Sequence, residues 1–230
     1  VAEPWQPPSD PLVAEWKVVE RHIDARELQK LRGLRDVVVR LGLDAHAACR
    51  ETPHSQRAAT LLRFLRARDG DVAKATTMLS DALDWRRDYE IDRKLRDWRS
   101  EWSTGTSARV RLLRAYDFVG LLGRDHEGLP VHVYRFSQGD AGGIIREVGE
   151  EVFLLHLTRI IEDNLAEAQA VMLRTGRLVN SFVEIHDVGN YGLVPLWLRR
   201  ALATVPFFKK NASVFDNVYP ERIRVCFVVR

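Results

Sequence analysis

Along the first hundred residues, apolar side chains recur at the three- and four-residue spacing of a helix face, which predicts a run of helices. Leu28, Leu31 and Val38 mark one such face within a helical region over residues 13–50, with an interruption expected at Gly33 or Gly42. Thr52-Pro53 then punctuates the chain. Ala58, Leu61, Leu62 and Leu65 follow the i, i+3, i+4, i+7 pattern of a buried stripe. Gly70 supplies a left-handed stop and Asp71 a cap for the next helix. That helix is expected to run to Tyr89, with Val72, Ala75, Leu79, Ala82 and Trp85 on its apolar face.

After a polar stretch over residues 100–107 the pattern changes. Phe118 to Leu122 and Pro130 to Phe136 read as strands around the turn-rich Arg124-Asp-His-Glu-Gly128. Gly139, Gly142 and Gly143 read as a loop. Glu150 to Arg174 is a long amphipathic helix, with Phe153, Leu157, Ile160, Ile161, Ala168 and Met172 on one face and Gly176 beyond its end. Leu178 to His186 and Ile223 to Val229 read as strands, and Pro195 to Lys210 between them as a helix. Strands separated by helices predict an α/β lobe with some parallel pairing.

Composition changes this picture little. The chain has 230 residues, 46% hydrophobic and 29% charged, as in ordinary globular proteins. No run of about 18 apolar residues is present to span a bilayer. Residues 1–12, with Pro4, Pro7, Pro8 and Pro11, read as a stiff extended leader without the charged and apolar regions of a signal peptide. The absence of an initiator Met points to a piece of a longer chain. Cys49 and Cys226 are the only cysteines, which predicts two reduced thiols in a cytoplasmic protein, with no disulfide framework and no zinc site.

The net charge is +3, but basic residues crowd together at Arg57, Arg63, Arg66, Arg68 and Lys74, and again over residues 86–99. No zinc-finger or RNA-recognition spacing accompanies them, so they read as solvated helix faces and no nucleic-acid partner is expected.

Catalytic and cofactor motifs are missing. There is no P-loop, and Gly139-Asp-Ala-Gly142-Gly143 lacks dinucleotide-binding spacing. His126 and His132, with Asp125 and Glu127, lack a second ligand pair, so no metal is expected. His186-Asp187 has no nucleophile motif beside it, and Asp187 reads as a cap for the next turn. The expectation is a non-enzyme without cofactors.

Four motifs occur in a telling order. They are Thr60-Leu-Leu-Arg63-Phe-Leu-Arg66-Ala-Arg68-Asp-Gly-Asp-Val72, Asp125-His-Glu-Gly128-Leu-Pro130-Val131, Phe182-Val-Glu-Ile-His-Asp187-Val-Gly189, and Val218-Tyr219-Pro220-Glu221-Arg222. In this order they resemble the CRAL-TRIO lipid-binding domain over roughly residues 25–230. The resemblance implies a helical N-terminal lobe (residues 13–107) beside an α/β lobe with a mixed sheet and flanking helices (residues 108–230). The family continues beyond the last strand with a gate helix, so this chain is expected to be truncated at its C-terminus. One face of the sheet would floor an apolar cavity for a hydrophobic ligand.

Site residues carry over one by one. Arg68 matches an arginine that recognises an inositol phosphate, a task suited to its planar fork of donors. Asp69 stands where a lysine is common. Glu221 matches a carboxylate that accepts from inositol hydroxyls. The alternatives are that Arg68 complements its helix dipole or pairs with an acid, and that Glu221 bonds backbone N–H groups in a turn. Leu121, His132, Phe182 and Glu184 match positions where relatives holding phosphatidylcholine carry hydroxyls. None keeps one, which disfavours that lipid because a buried phosphodiester needs donors.

Phe207, Phe208, Lys209 and Lys210 either form a membrane-contact edge or pack inward at a helix end. The resemblance thus implies non-catalytic binding and membrane-to-membrane transfer, or sensing, of a hydrophobic ligand. A phospholipid such as phosphatidylinositol fits best, in a cytoplasmic, peripherally membrane-associated protein. The alternative is a protein-interaction scaffold using the same fold without lipid exchange.

Overall fold

The computed structural model describes residues 5–49, 53–136, 138–188 and 194–229, the side chains of 194–203 excepted. Pro4 of the leader and Gly189 of the third motif lie outside the described residues. The chain divides into two compact units. One comprises residues 1–92, 165–181 and 215–222, and the other residues 93–164, 182–214 and 223–230.

The first unit is built on helices α1 (Pro11–His22), α2 (Ala25–Arg40), α3 (Ala58–Arg66) and α4 (Val72–Asp88). Side-chain caps set their starts: Asp10 accepts from the Leu12 N–H, Asp24 from Glu27 and Asp71 from Lys74. The break in the first helical region falls at Ile23-Asp24, where Asp24 is the N-cap of α2, and not at Gly33, which sits inside α2. Gly42 does terminate this region, with φ +67°. The leader, read as stiff and extended over residues 1–12, gives way to α1 at Pro11 and is packed at Trp5. The Trp5 indole N–H donates to the Leu173 carbonyl at 2.8 Å, and the Arg21 guanidinium lies 4.9 Å from the Trp5 ring. The core gathers Trp16, Leu31, Leu34, Leu61, Leu65 and Leu79.

Helix α3 has no side-chain cap of its own. Glu15 of α1, fully buried, supplies one: it accepts the Ala59 N–H at 2.8 Å, Gln169 Nε2 at 2.8 Å and Arg57 Nε at 3.4 Å. At the other end of α3, Gly70 with φ +74° returns its N–H to the Leu65 carbonyl at 2.9 Å, which closes the helix.

The second unit holds α5 (Ile91–Thr104, entering from residue 93), α6 (Ala108–Tyr116), β1 (Val119–Arg124), β2 (Pro130–Arg135) and α7 (Ala141–Val148). It also holds the first part of α8 (Glu150–Thr175), then β3 (Phe182–Asp187), α9 (Val194–Ser213) and β4 (Ile223–Val229). Within the polar stretch over residues 100–107, residues 100–104 are helical. Gly142 and Gly143, read as loop, lie inside α7. Asp140 starts that helix by accepting the Gly143 N–H at 2.9 Å, and this cap overrides the low helix propensity of glycine.

The strands form a mixed sheet in the order β1-β2-β3-β4, antiparallel between β1 and β2 and parallel thereafter. Its register sorts the side chains into two faces, since neighbours across strands share a face and residues along a strand alternate. One face carries Val131, Val183 and Val225 in one row and Val133, Ile185 and Phe227 in the next. The other face carries His132, Glu184 and Cys226, then Tyr134, His186 and Val228.

Candidate functional site

The four sheet positions singled out by the sequence come together in register. Leu121 of β1 pairs with His132 of β2, which pairs with Glu184 of β3. Phe182 lies two residues from Glu184 on the same face and 6.3 Å, ring to ring, from His132. Phe182, Glu184 and His132 are buried, whereas Leu121 is exposed beside a bulge in β1. Burial pushes the His132 imidazole below its ordinary value. A hydrogen bond with Asn164 opposes that shift, and the charge of Arg159 adds to it. Glu184 is not a bare charge: Tyr134 donates to it at 3.2 Å, and His186 Nε2 lies 2.8 Å away.

Sequence reasoning passed over His186 as a binding group and assigned nothing to Cys226. The register brings both next to Glu184. Glu184, His186 and Cys226 offer ligand atoms all within 4.8 Å of one another. Cys226 is exposed, and partial desolvation first, and then the Glu184 charge, raise its thiol above the ordinary value. Both cysteines are free thiols. In the loop around His126 the exposed imidazole lies 3.8 Å from Glu127, Glu127 pairs with Arg224 at 2.7 Å, and Asp125 accepts the backbone N–H groups of Glu127 and Leu129.

In the first unit, Arg68 follows α3 and donates to the Ala67 carbonyl at 3.1 Å and to Asn217 Oδ1 at 3.3 Å. Both acceptors are neutral, and among the described residues Arg68 forms no ion pair. The acid partner that α3 does find, Glu27, is taken by Arg66 in a fork of 2.7 and 3.0 Å. That fork raises the Arg66 pKa above its ordinary value, with a smaller contribution from the charge of Glu221. Glu221 is exposed and holds a left-handed backbone, φ +52°, which is uncommon for a non-glycine residue. A cleft of about 430 Å³ opens beside this end of α3 and is lined by Glu27, Lys30, Arg66 and Asp69 among others. Lys30 carried no recognisable signal in the sequence, because only folding brings α2 to the end of α3.

The four residues of the expected membrane edge separate. Phe207 is buried, 5.2 Å from the Phe153 ring, so it packs inward. Phe208 is partly exposed against Phe207, Lys209 is exposed, and Lys210 pairs with Glu150 at 2.6 Å. No helix among the described residues is long and apolar enough to cross a membrane.

The family comparison fits this layout. A family model described as the CRAL/TRIO N-terminal domain matches residues 39–81, and one described as the CRAL/TRIO domain matches residues 114–230. The chain is 31% identical over 173 residues to a CRAL-TRIO domain-containing protein of Caenorhabditis elegans, covering 75% of this chain and 22% of that protein. It is 28% identical over 174 residues to Protein real-time of Aedes aegypti, covering 74% of this chain and 24% of the relative. With Protein real-time of Drosophila pseudoobscura pseudoobscura the identity is 25% over 240 residues, covering 98% of this chain and 33% of the relative. The chain therefore spans a third or less of the length of these curated relatives.

Proposed function

The chain belongs to the CRAL-TRIO family, whose domains bind lipids and other hydrophobic ligands, and we propose that it takes up one such ligand non-covalently and exchanges it at a membrane surface without catalysing a reaction. The observation that carries this reading is the register row that gathers Leu121, His132 and Glu184, with Phe182 beside it, on one sheet face. These are the positions that the family resemblance assigns to ligand contact. Each buried CH₂ of an acyl chain contributes about 0.8 kcal/mol. Release into water costs the same amount, so exchange runs through a bilayer.

The finer reading is a phospholipid with an inositol phosphate headgroup, phosphatidylinositol. Arg68 supports it, because a guanidinium bonded only to neutral oxygens keeps its charge for a phosphate. Glu221, exposed, offers acceptors to inositol hydroxyls. Glu184 works against a phosphodiester placed on the sheet row, since like charges repel in a partly desolvated site. The test is transfer of labelled phosphatidylinositol and phosphatidylcholine between vesicles. Wild-type protein moves the inositol lipid preferentially, and Arg68→Ala slows that transfer about tenfold, the equivalent of one charge-assisted bond. Phe182→Asp stops uptake of either lipid. Equal transfer of the inositol lipid by wild type and Arg68→Ala removes the headgroup assignment.

One observation favours a second reading, the protein-interaction scaffold. Among the described residues, Phe227, Val228 and Val229 of β4 are exposed, and an apolar set of this kind also suits a protein partner. A chain that stays folded and takes up no lipid in the same assay supports that reading.

A further inference from the structure

We propose that Glu184, His186 and Cys226 form a binding site for a zinc-class divalent cation on the sheet, an inference that does not rest on the lipid reading. The backbone prepares the site. Glu184 and His186 stand two residues apart on β3, so both project from the same face. The parallel register sets Cys226 of β4 directly opposite Glu184. Carboxylate, imidazole and thiol thus converge from adjacent strands, rigid elements that hold side chains more closely than loops do.

The side-chain geometry agrees. The ligand atoms lie within 4.8 Å of one another. Zinc–ligand bonds of about 2.0–2.3 Å place tetrahedral ligands about 3.3–3.8 Å apart. Metal binding draws the three atoms closer than this limit, and Cys226, the exposed member of the set, has the most room to move. His186 Nε2 lies 2.8 Å from Glu184 Oε2, a hydrogen-bond distance, so a cation entering between them takes the place of the shared proton and parts the two atoms by about 0.5 Å. The supporting shell is present as well. The Tyr134 hydroxyl donates to the other oxygen of Glu184 at 3.2 Å. The rings of Tyr134 and Phe136 meet the His186 imidazole edge-on, each at 5.1 Å, and fix its plane.

The donor set selects the ion. Calcium and magnesium take oxygen ligands, whereas one thiolate, one imidazole and one carboxylate suit zinc. The thiolate and carboxylate together cancel the 2+ charge, and three protein ligands leave the fourth position for water or an anionic group.

Cobalt(II) is the probe, because a bound thiolate gives a charge-transfer band that oxygen and nitrogen ligands alone do not. The whole 230-residue chain, freed of metal, is titrated with cobalt(II) and then with zinc. One cobalt per chain, a thiolate-to-cobalt band and displacement by zinc are expected. Cys226→Ser, a change at an exposed position, abolishes the band, while Cys49→Ser keeps it. His186→Gln weakens binding at least tenfold, and Tyr134→Phe by about tenfold through the lost support of Glu184. Folded protein that binds no cobalt overturns the proposal. So does a band that survives in Cys226→Ser, because the thiolate then lies elsewhere.

Discussion

His132 is the residue whose environment most clearly sets a measurable property. Burial holds its imidazole below the ordinary value of 6.5, and the facing groups from α8 and the end of α6 (Asn164, Arg159, Asp163 and Asp117) do not reverse that direction. The unfolded chain therefore binds a proton at this histidine more readily than the folded one. The stability linked to neutral His132 is complete above about pH 6.5 and is lost as the pH falls below it. Denaturant midpoints measured from pH 7.5 to pH 5 decline in the wild type, and they decline less steeply in His132→Gln. Identical slopes in the two proteins contradict the assignment.

The sequence singled out Glu184, Arg68 and Glu221 as single residues, because each stands inside a short motif, and His132 because it directly follows one. It could not reveal the neighbours of Glu184. His186 lies in the same motif, but Cys226 lies on another strand, and only the parallel register between β3 and β4 brings its thiol to the carboxylate. The same limit hid Glu15, which has no local reason to be buried.

At the scale of elements, α3 shows what local pattern supplies and what it omits. The stripe of Ala58, Leu61, Leu62 and Leu65 was legible, as was the Gly70 stop, because both depend on residues within a few positions. The start of α3 was not, since its cap reaches over from α1. Glu15→Ala removes the acceptor for the Ala59 N–H and Gln169 and leaves Arg57 without its buried carboxylate. A loss of roughly 3 kcal/mol is expected, read as a lower denaturant midpoint with an unchanged slope. Glu15→Gln keeps the acceptor for Ala59 and loses less. Equal losses in both variants mean that packing, rather than capping, accounts for the effect. Glycine had the opposite effect: Gly33, Gly142 and Gly143 lie inside helices despite a propensity cost of about 1 kcal/mol per glycine, with the caps at Asp24 and Asp140 and the burial of Leu31, Leu34, Gly142 and Ile144 acting against it.

At the scale of the whole molecule, motif order carried more than any single motif. The helical region, paired strands, long helix and final strands were legible because each has its own periodicity, and their succession matched the family. The allocation of segments to compact units was not legible. Residues 165–181 and 215–222 join the N-terminal helices although they lie far along the chain, a matter of tertiary packing that periodicity does not record. At this scale the proposal to test is that the chain holds a hydrophobic ligand. Its most direct test is organic extraction of the purified, folded protein, followed by mass spectrometry of the extract and reloading of the stripped protein from mixed phospholipid vesicles. One lipid class at close to one molecule per chain, regained on reloading, is the predicted result. Folded protein that yields no lipid and takes none up from the vesicles contradicts the account.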